Sequence, residues 1–129
     1  MKKILIYSET LLLLKGIDQL LKEGISDIHT EQVHTVELLK KHLYEKKSNL
    51  FILHLDFSTG NPDYLAKHII ELQIEIPLLI LTDDTSMAQK LFLDNMEGIY
   101  FLDIRNTVAE ITQMAVRMLN SGGSHTLSL

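Results

Sequence analysis

The sequence contains no cysteine, which excludes disulfides, thiolate nucleophiles and metal centres built on sulfur ligands, and fits an intracellular setting. No apolar run approaches the ~20 residues needed to span a bilayer. Met1, Lys2 and Lys3 resemble the charged front of a signal peptide, but the apolar run Ile4 to Tyr7 breaks at Ser8 and Glu9, with no small-residue cleavage site beyond. Neither export nor membrane contact is expected, and the expected location is cytoplasmic. Positive charge is also scarce: 12 Lys and Arg face 17 Asp and Glu, for a net charge of -5. That is the wrong sign for a surface that grips phosphate backbones, so DNA contact is expected only through a domain outside this chain. Motifs for hydrolytic chemistry are missing too. The six histidines, at 29, 34, 42, 54, 68 and 125, form no i, i+4 pair and no His-Glu-x-x-His. There is no Gly-x-Ser-x-Gly elbow and no phosphate-binding P-loop.

What remains is a chain of 129 residues, 46% hydrophobic, the size of one compact domain with a proper core. Ile4 to Tyr7, Leu50 to Leu53, Leu78 to Leu81 and Ile99 to Leu102 are short β-favouring runs, apolar throughout, as in strands buried on both faces. Ile28 to Val33 is a weaker, alternating fifth. Apolar residues at helical spacing lie between and after them: Leu13, Ile17, Leu20 and Leu21; Val36, Leu38, Leu39 and Leu43; Leu65, Ile69, Ile70 and Leu72; Met87, Leu91 and Phe92; and Val108, Ile111, Met114, Ala115 and Met118. Asn61-Pro62 predicts the cap and first turn of the third helix, Thr85 a cap for the fourth, and Thr107-x-x-Glu110 a capping box for the fifth.

This alternation predicts an α/β fold, a doubly wound five-stranded parallel sheet flanked by helices and joined by right-handed crossovers. The domain is expected over 1–120, with 121–129 a flexible tail of linker composition to which a further domain could be attached. In such a sheet the functional crevice lies at the carboxyl ends of the strands. That selects Ser8, Glu9 and Thr10; His54 to Asp56; Thr82, Asp83 and Asp84; and Leu102 with Asp103.

The segment from Lys3 to Ile17, with a strand running into Ser8-Glu9 and a glycine at 16 in the following helix, resembles the opening of response-regulator receiver domains of the NarL/FixJ (LuxR-type) group. Ala115 to Gly123 is similar to their closing helix and glycine turn, and the resemblance covers nearly the whole chain. It implies a (βα)5 receiver fold in two-component signal transduction and transcription regulation. In that family a kinase-derived phosphoryl group moves to an aspartate ending the third strand. An acidic pair after the first strand holds Mg²⁺, a Thr or Ser after the fourth reads the phosphate, and a Lys after the fifth pairs with it. Positioning and charge neutralisation are what phosphoryl transfer needs.

Laid on this sequence, the pattern puts Ser8 and Glu9 at the acidic pair, His54 at the phosphoacceptor, Thr82 at the hydroxyl position and Leu102 at the lysine. His54 is a poor donor for a hard Mg²⁺ ion, and Leu102 cannot neutralise a phosphate. Phosphotransfer is therefore expected to be lost and the site degenerate, with no catalytic residue, no cofactor and no Mg²⁺. His54 is expected to be a hydrogen-bonded structural residue. The alternative acceptor is Asp56, on the same side of the strand if the strand extends that far; Glu9 and Asp56 are then the carboxylates a metal would use. A second alternative is a redox protein: Ile6 to Thr10 is similar to the FMN-phosphate loop of flavodoxins, but it lacks glycine, and no Trp exists to stack on a flavin, which leaves Tyr64 and Tyr100 for that task. Leu11 to Leu14 are apolar on every side of one helical turn, so some must face solvent. Leu11 and Leu14 are expected to form a dimer patch, with a homodimer, a histidine kinase or another regulator as partner.

Overall fold

The computed structural model describes residues 1–58, 60–92, 97–106 and 108–121. Strands and helices alternate strictly: β1 (Lys2–Tyr7), α1 (Leu11–Gly24), β2 (Ile28–Val33), α2 (Val36–Glu45), β3 (Leu50–Leu55), α3 (Pro62–Glu71), β4 (Leu78–Thr82), α4 (Thr85–Leu91), β5 (Ile99–Asp103) and α5 (Val108–Ser121). All strand pairs are parallel, in the order β2-β1-β3-β4-β5, which is the expected doubly wound sheet. The chain winds outward in both directions from the β1/β3 pair, so the loops after β1 and β3 diverge and leave a crevice between them.

The apolar runs of β1, β3 and β4 are buried on both faces, whereas β5, expected to be so as well, is the second edge strand and leaves Tyr100 51% exposed. Because side chains alternate along a strand, β1, β3 and β4 each supply two cores. Leu5, Tyr7, Phe51, Leu53, Leu55, Leu78 and Ile80 pack with α2, α3 and α4 on one face. Ile4, Ile6, Leu50, Ile52, Leu79 and Leu81 pack with α1 and α5 on the other. Edge strand β2 buries only Val33 fully and carries the exposed pair His29 and Glu31, as its polar alternation predicts. Its Thr30 hydroxyl donates to Asp18 on α1, which also takes an ion pair from Lys22 at 3.1 Å.

Two expectations are corrected. Leu14 is 2% exposed, inside the α1/α5 core, whereas Leu11 and Leu12 are 53% and 83% exposed; the surface patch is Leu11 with Leu12, since Leu14 shares the inward stripe with Ile17 and Leu21. The cap of α4 is Asp84, whose carboxylate accepts from Met87 N, and Thr85 is already helical. As expected, Asn61 is the N-cap residue of α3 and Pro62 takes the first turn, though the Asn61 side chain makes no cap bond. Helix α5 continues through Ser121. The rest of the tail, and Thr107 of the capping box, lie outside the described residues.

Candidate functional site

In the α1/α5-facing register, Ser8 follows Ile4 and Ile6, and His54 follows Leu50 and Ile52. The pairing Tyr7↔Leu53 therefore brings the two together as the next rung. Ser8 Oγ and His54 Nδ1 are 3.0 Å apart. Ser8 is fully buried, and its Oγ accepts from Thr10 N at 3.1 Å while lying 3.3 Å from Thr10 O. One hydroxyl proton cannot serve two acceptors. If it goes to Thr10 O, His54 Nδ1 is protonated and donates to Ser8; if it goes to Nδ1, the ring proton sits on Nε2. In either state Nδ1 is engaged. Burial holds the imidazole below its ordinary pKa, against the pull of the Asp56, Asp83 and Glu9 carboxylates, so His54 is neutral near pH 7.

The remaining sequence-predicted residues are distributed around this pair. Glu9 is exposed and its Oε2 accepts from the buried Tyr7 hydroxyl at 3.3 Å. Burial, reinforced by Glu9, pushes the Tyr7 phenol far up. Asp56 lies one residue beyond β3, where strand alternation no longer sets its direction. Its Oδ1 accepts from Ser58 N at 2.8 Å. A side chain at Gly60 would sit 2.8 Å from Asp56 O and 3.3 Å from Glu9 Oε1, so glycine is what lets the chain return this closely over both.

Thr82 belongs to the next row, Leu55–Thr82–Asp103, whose alternation faces the α3/α4 side. It is fully buried, and its Oγ1 accepts from Asp84 N at 3.2 Å. Leu102 is in the His54–Leu81–Leu102 row and packs into the α1/α5 core. The structure thus joins Ser8 to His54 and leaves Thr82 in a different row from both. Of the aromatic residues considered for a flavin, Tyr64 sits on α3 edge-on to His68, with ring centroids 4.2 Å apart, and Tyr100 is half-exposed on β5.

Two features were not anticipated. Asp83 reaches from the β4–α4 loop to accept from Phe57 N at 2.9 Å and from the Ser58 hydroxyl at 2.5 Å. Partial burial raises its pKa, but those hydrogen bonds outweigh it and set the carboxyl below its usual range. At the end of β5, Arg105 grips Asp103 in a fork of 2.8 and 2.6 Å, and this guanidinium brings the Asp103 carboxyl to about 2. The sequence signals were present as Asp83 after a strand end and as an Asp-x-Arg spacing, but neither identifies its partner.

Among the described residues no group of three or more His, Asp or Glu is placed to hold a metal ion. Among those residues, too, no helix is long and apolar enough to cross a membrane.

No family model matches the sequence, and no curated protein matches it. Solved structures do match in fold. A response regulator receiver domain protein (CheY-like) from Methanospirillum hungatei superimposes with a TM-score of 0.78 at 13% identity, covering 97% of this chain and 98% of that one. The signal receiver domain of an HD domain-containing protein from Pseudomonas fluorescens gives 0.75 at 16% identity, with 99% and 93% covered. The non-phosphorylated HemR receiver domain from Leptospira biflexa gives 0.73 at 18% identity, with 92% and 94% covered. The chain has the (βα)5, CheY-like receiver fold over nearly its whole length.

Proposed function

We propose that this chain is a pseudo-receiver of the two-component type, acting in signal transduction and transcription regulation by dimerisation or partner binding instead of by phosphorylation. The observation that carries the reading is the Ser8–His54 bond. The crevice at the β1/β3 ends, where a receiver needs carboxylates for acceptance and metal binding, is filled by a buried hydroxyl and a neutral imidazole bonded to each other. Leu102, packed into the core, offers no cation to a phosphoryl group. His54 Nε2 is a poor substitute acceptor, because the nearest charges, Asp56, Asp83 and Glu9, are all negative and repel an incoming phosphate.

The exposed Leu11 and Leu12 at the start of α1 are the surface through which we expect a second copy to bind. A histidine kinase or another regulator is the alternative partner. DNA would be reached through a further domain outside this chain, and the setting is the cytoplasm.

The test is intact mass after incubation with acetyl phosphate and Mg²⁺, on the protein as given and on His54→Ala and Asp56→Asn. No added phosphate supports the reading. A phosphate abolished by Asp56→Asn overturns it in favour of a conventional switch at Asp56. One abolished by His54→Ala overturns it in favour of phosphohistidine chemistry.

A further inference from the structure

We propose that Asp83 is a clasp that locks the loop after β3 to the loop after β4, so that the crevice rim and the first turn of α4 behave as one rigid unit. Three sets of contacts converge on this. Both oxygens of the Asp83 carboxylate are engaged from the β3 side, Oδ1 accepting from the Phe57 amide and Oδ2 from the Ser58 hydroxyl. Phe57 is itself anchored, because its ring packs against the α2/α3/α4 core. On the other side the next residue, Asp84, is fixed at both ends: its N–H donates to Thr82 Oγ1 at 3.2 Å, and its carboxylate caps α4 through Met87 N at 3.1 Å. Its carbonyl takes the next helical amide, from Ala88. The contacts therefore run from the end of β3 to the Asp83 side chain by hydrogen bonds, across the Asp83–Asp84 peptide bond, and into α4 through the bonds of Asp84.

The hydrogen bonds to Asp83 favour its charged form, so the clasp stays closed across the neutral pH range. What can open it is a competing cation. Arg105 is the cation built into the neighbouring loop, within electrostatic range of Asp83 and Asp84, and it is held away by its fork to Asp103. The chemistry that would regulate the clasp from outside is thus a basic side chain of a partner docking at the carboxyl end of the sheet. Loosening would be felt in α4, which is not among the groups that form the crevice. This device is independent of whether any phosphate is accepted.

The experiment is residue-resolved amide hydrogen exchange on the protein, Asp83→Ala and Ser58→Ala. Expected is exchange about tenfold or more faster at Phe57 in Asp83→Ala, with Met87 and Ala88 accelerating alongside it and the Leu53 amide unchanged. Ser58→Ala should give a smaller acceleration at the same three positions. Acceleration confined to Phe57, or none at all, overturns the proposal, because a local bond would leave α4 untouched. Should Asp83→Ala also accelerate Leu53, the domain has loosened globally and Ser58→Ala alone decides.

Discussion

Leu12→Glu and Leu14→Glu should behave in opposite ways, although the two leucines are neighbours on one turn of α1. Leu14 is 2% exposed among Ile17, Leu21 and the α5 residues Ile111 and Ala115. Removing a buried leucine costs about 2–5 kcal/mol, and leaving a polar carboxyl in its place adds about 1–3 kcal/mol more. Against a total stability of roughly 5–15 kcal/mol, Leu14→Glu should leave the domain largely unfolded or melting at much lower urea. Leu12 is 83% exposed, so Leu12→Glu should change monomer stability by no more than about 0.5 kcal/mol. Its effect belongs to association. In a two-fold dimer one substitution counts twice. If each copy loses about 1.5 kcal/mol of apolar burial, the sum of about 3 kcal/mol weakens the dimer roughly a hundredfold. Urea denaturation followed by circular dichroism reads the first quantity, and light scattering over a micromolar dilution series reads the second. A Leu12→Glu protein that dimerises like the parent, or a parent that is monomeric at tens of micromolar, refutes the proposed surface. A Leu14→Glu protein as stable as the parent refutes the placement of Leu14.

Folding stability should depend on pH through His54. Its folded pKa lies below the ordinary value, so as pH falls the unfolded chain takes up the proton first. Stability is intact above about pH 6.5, declines as pH drops through the depressed folded pKa, and loses nothing further from this group below it. The urea midpoint of His54→Gln should therefore be flatter between pH 7 and 5; equal slopes in parent and variant would remove His54 as the cause. Gly16 lies exposed inside α1, one turn after Leu12, with nothing within 4 Å of an added side-chain carbon. Gly16→Ala should stabilise the monomer by about 0.5–1 kcal/mol, visible as a higher melting temperature, and should weaken any dimer that seats a helix on this spot. An unchanged melting temperature would contradict the assignment of Gly16 to an open helical surface.

The strands were legible because burial on both faces of a parallel sheet demands short apolar runs such as Leu78-Leu-Ile-Leu81, set off by turn residues such as Pro77; the run alone does not suffice, since Leu11 to Leu14 is helical. The crevice was legible for the same reason, since the end of each run marks where polar residues must emerge. The contacts inside it were less so. That Ser8 meets His54 follows from the β1–β3 register, which sequence spacing alone does not fix. Leu14 was misassigned to the surface because four consecutive leucines carry no phase; only Ile17 and Leu21, one and two turns on, show which of them points inward. The cap of α4 read as Thr85, and Asp84 does that work, while Asp83 just before it turns to the neighbouring loop. A one-residue shift at a helix start turns a cap into a cross-loop tie, and composition is blind to it.

The alternation of side chains across the sheet divides the crevice itself. Ser8 and His54 stand on the half served by α1 and α5, while Thr82, in the row Leu55–Thr82–Asp103, faces the half served by α3 and α4, where the Asp83 contacts lead into α4. A partner seated on α1 and a partner seated on α4 would address two sides of the same partition. Events at the serine–histidine pair would reach the leucine surface of α1 through Thr10, without first crossing the β4 loop. The two halves still meet at one point, since the Asp83 carboxylate acts electrostatically on His54 across the partition.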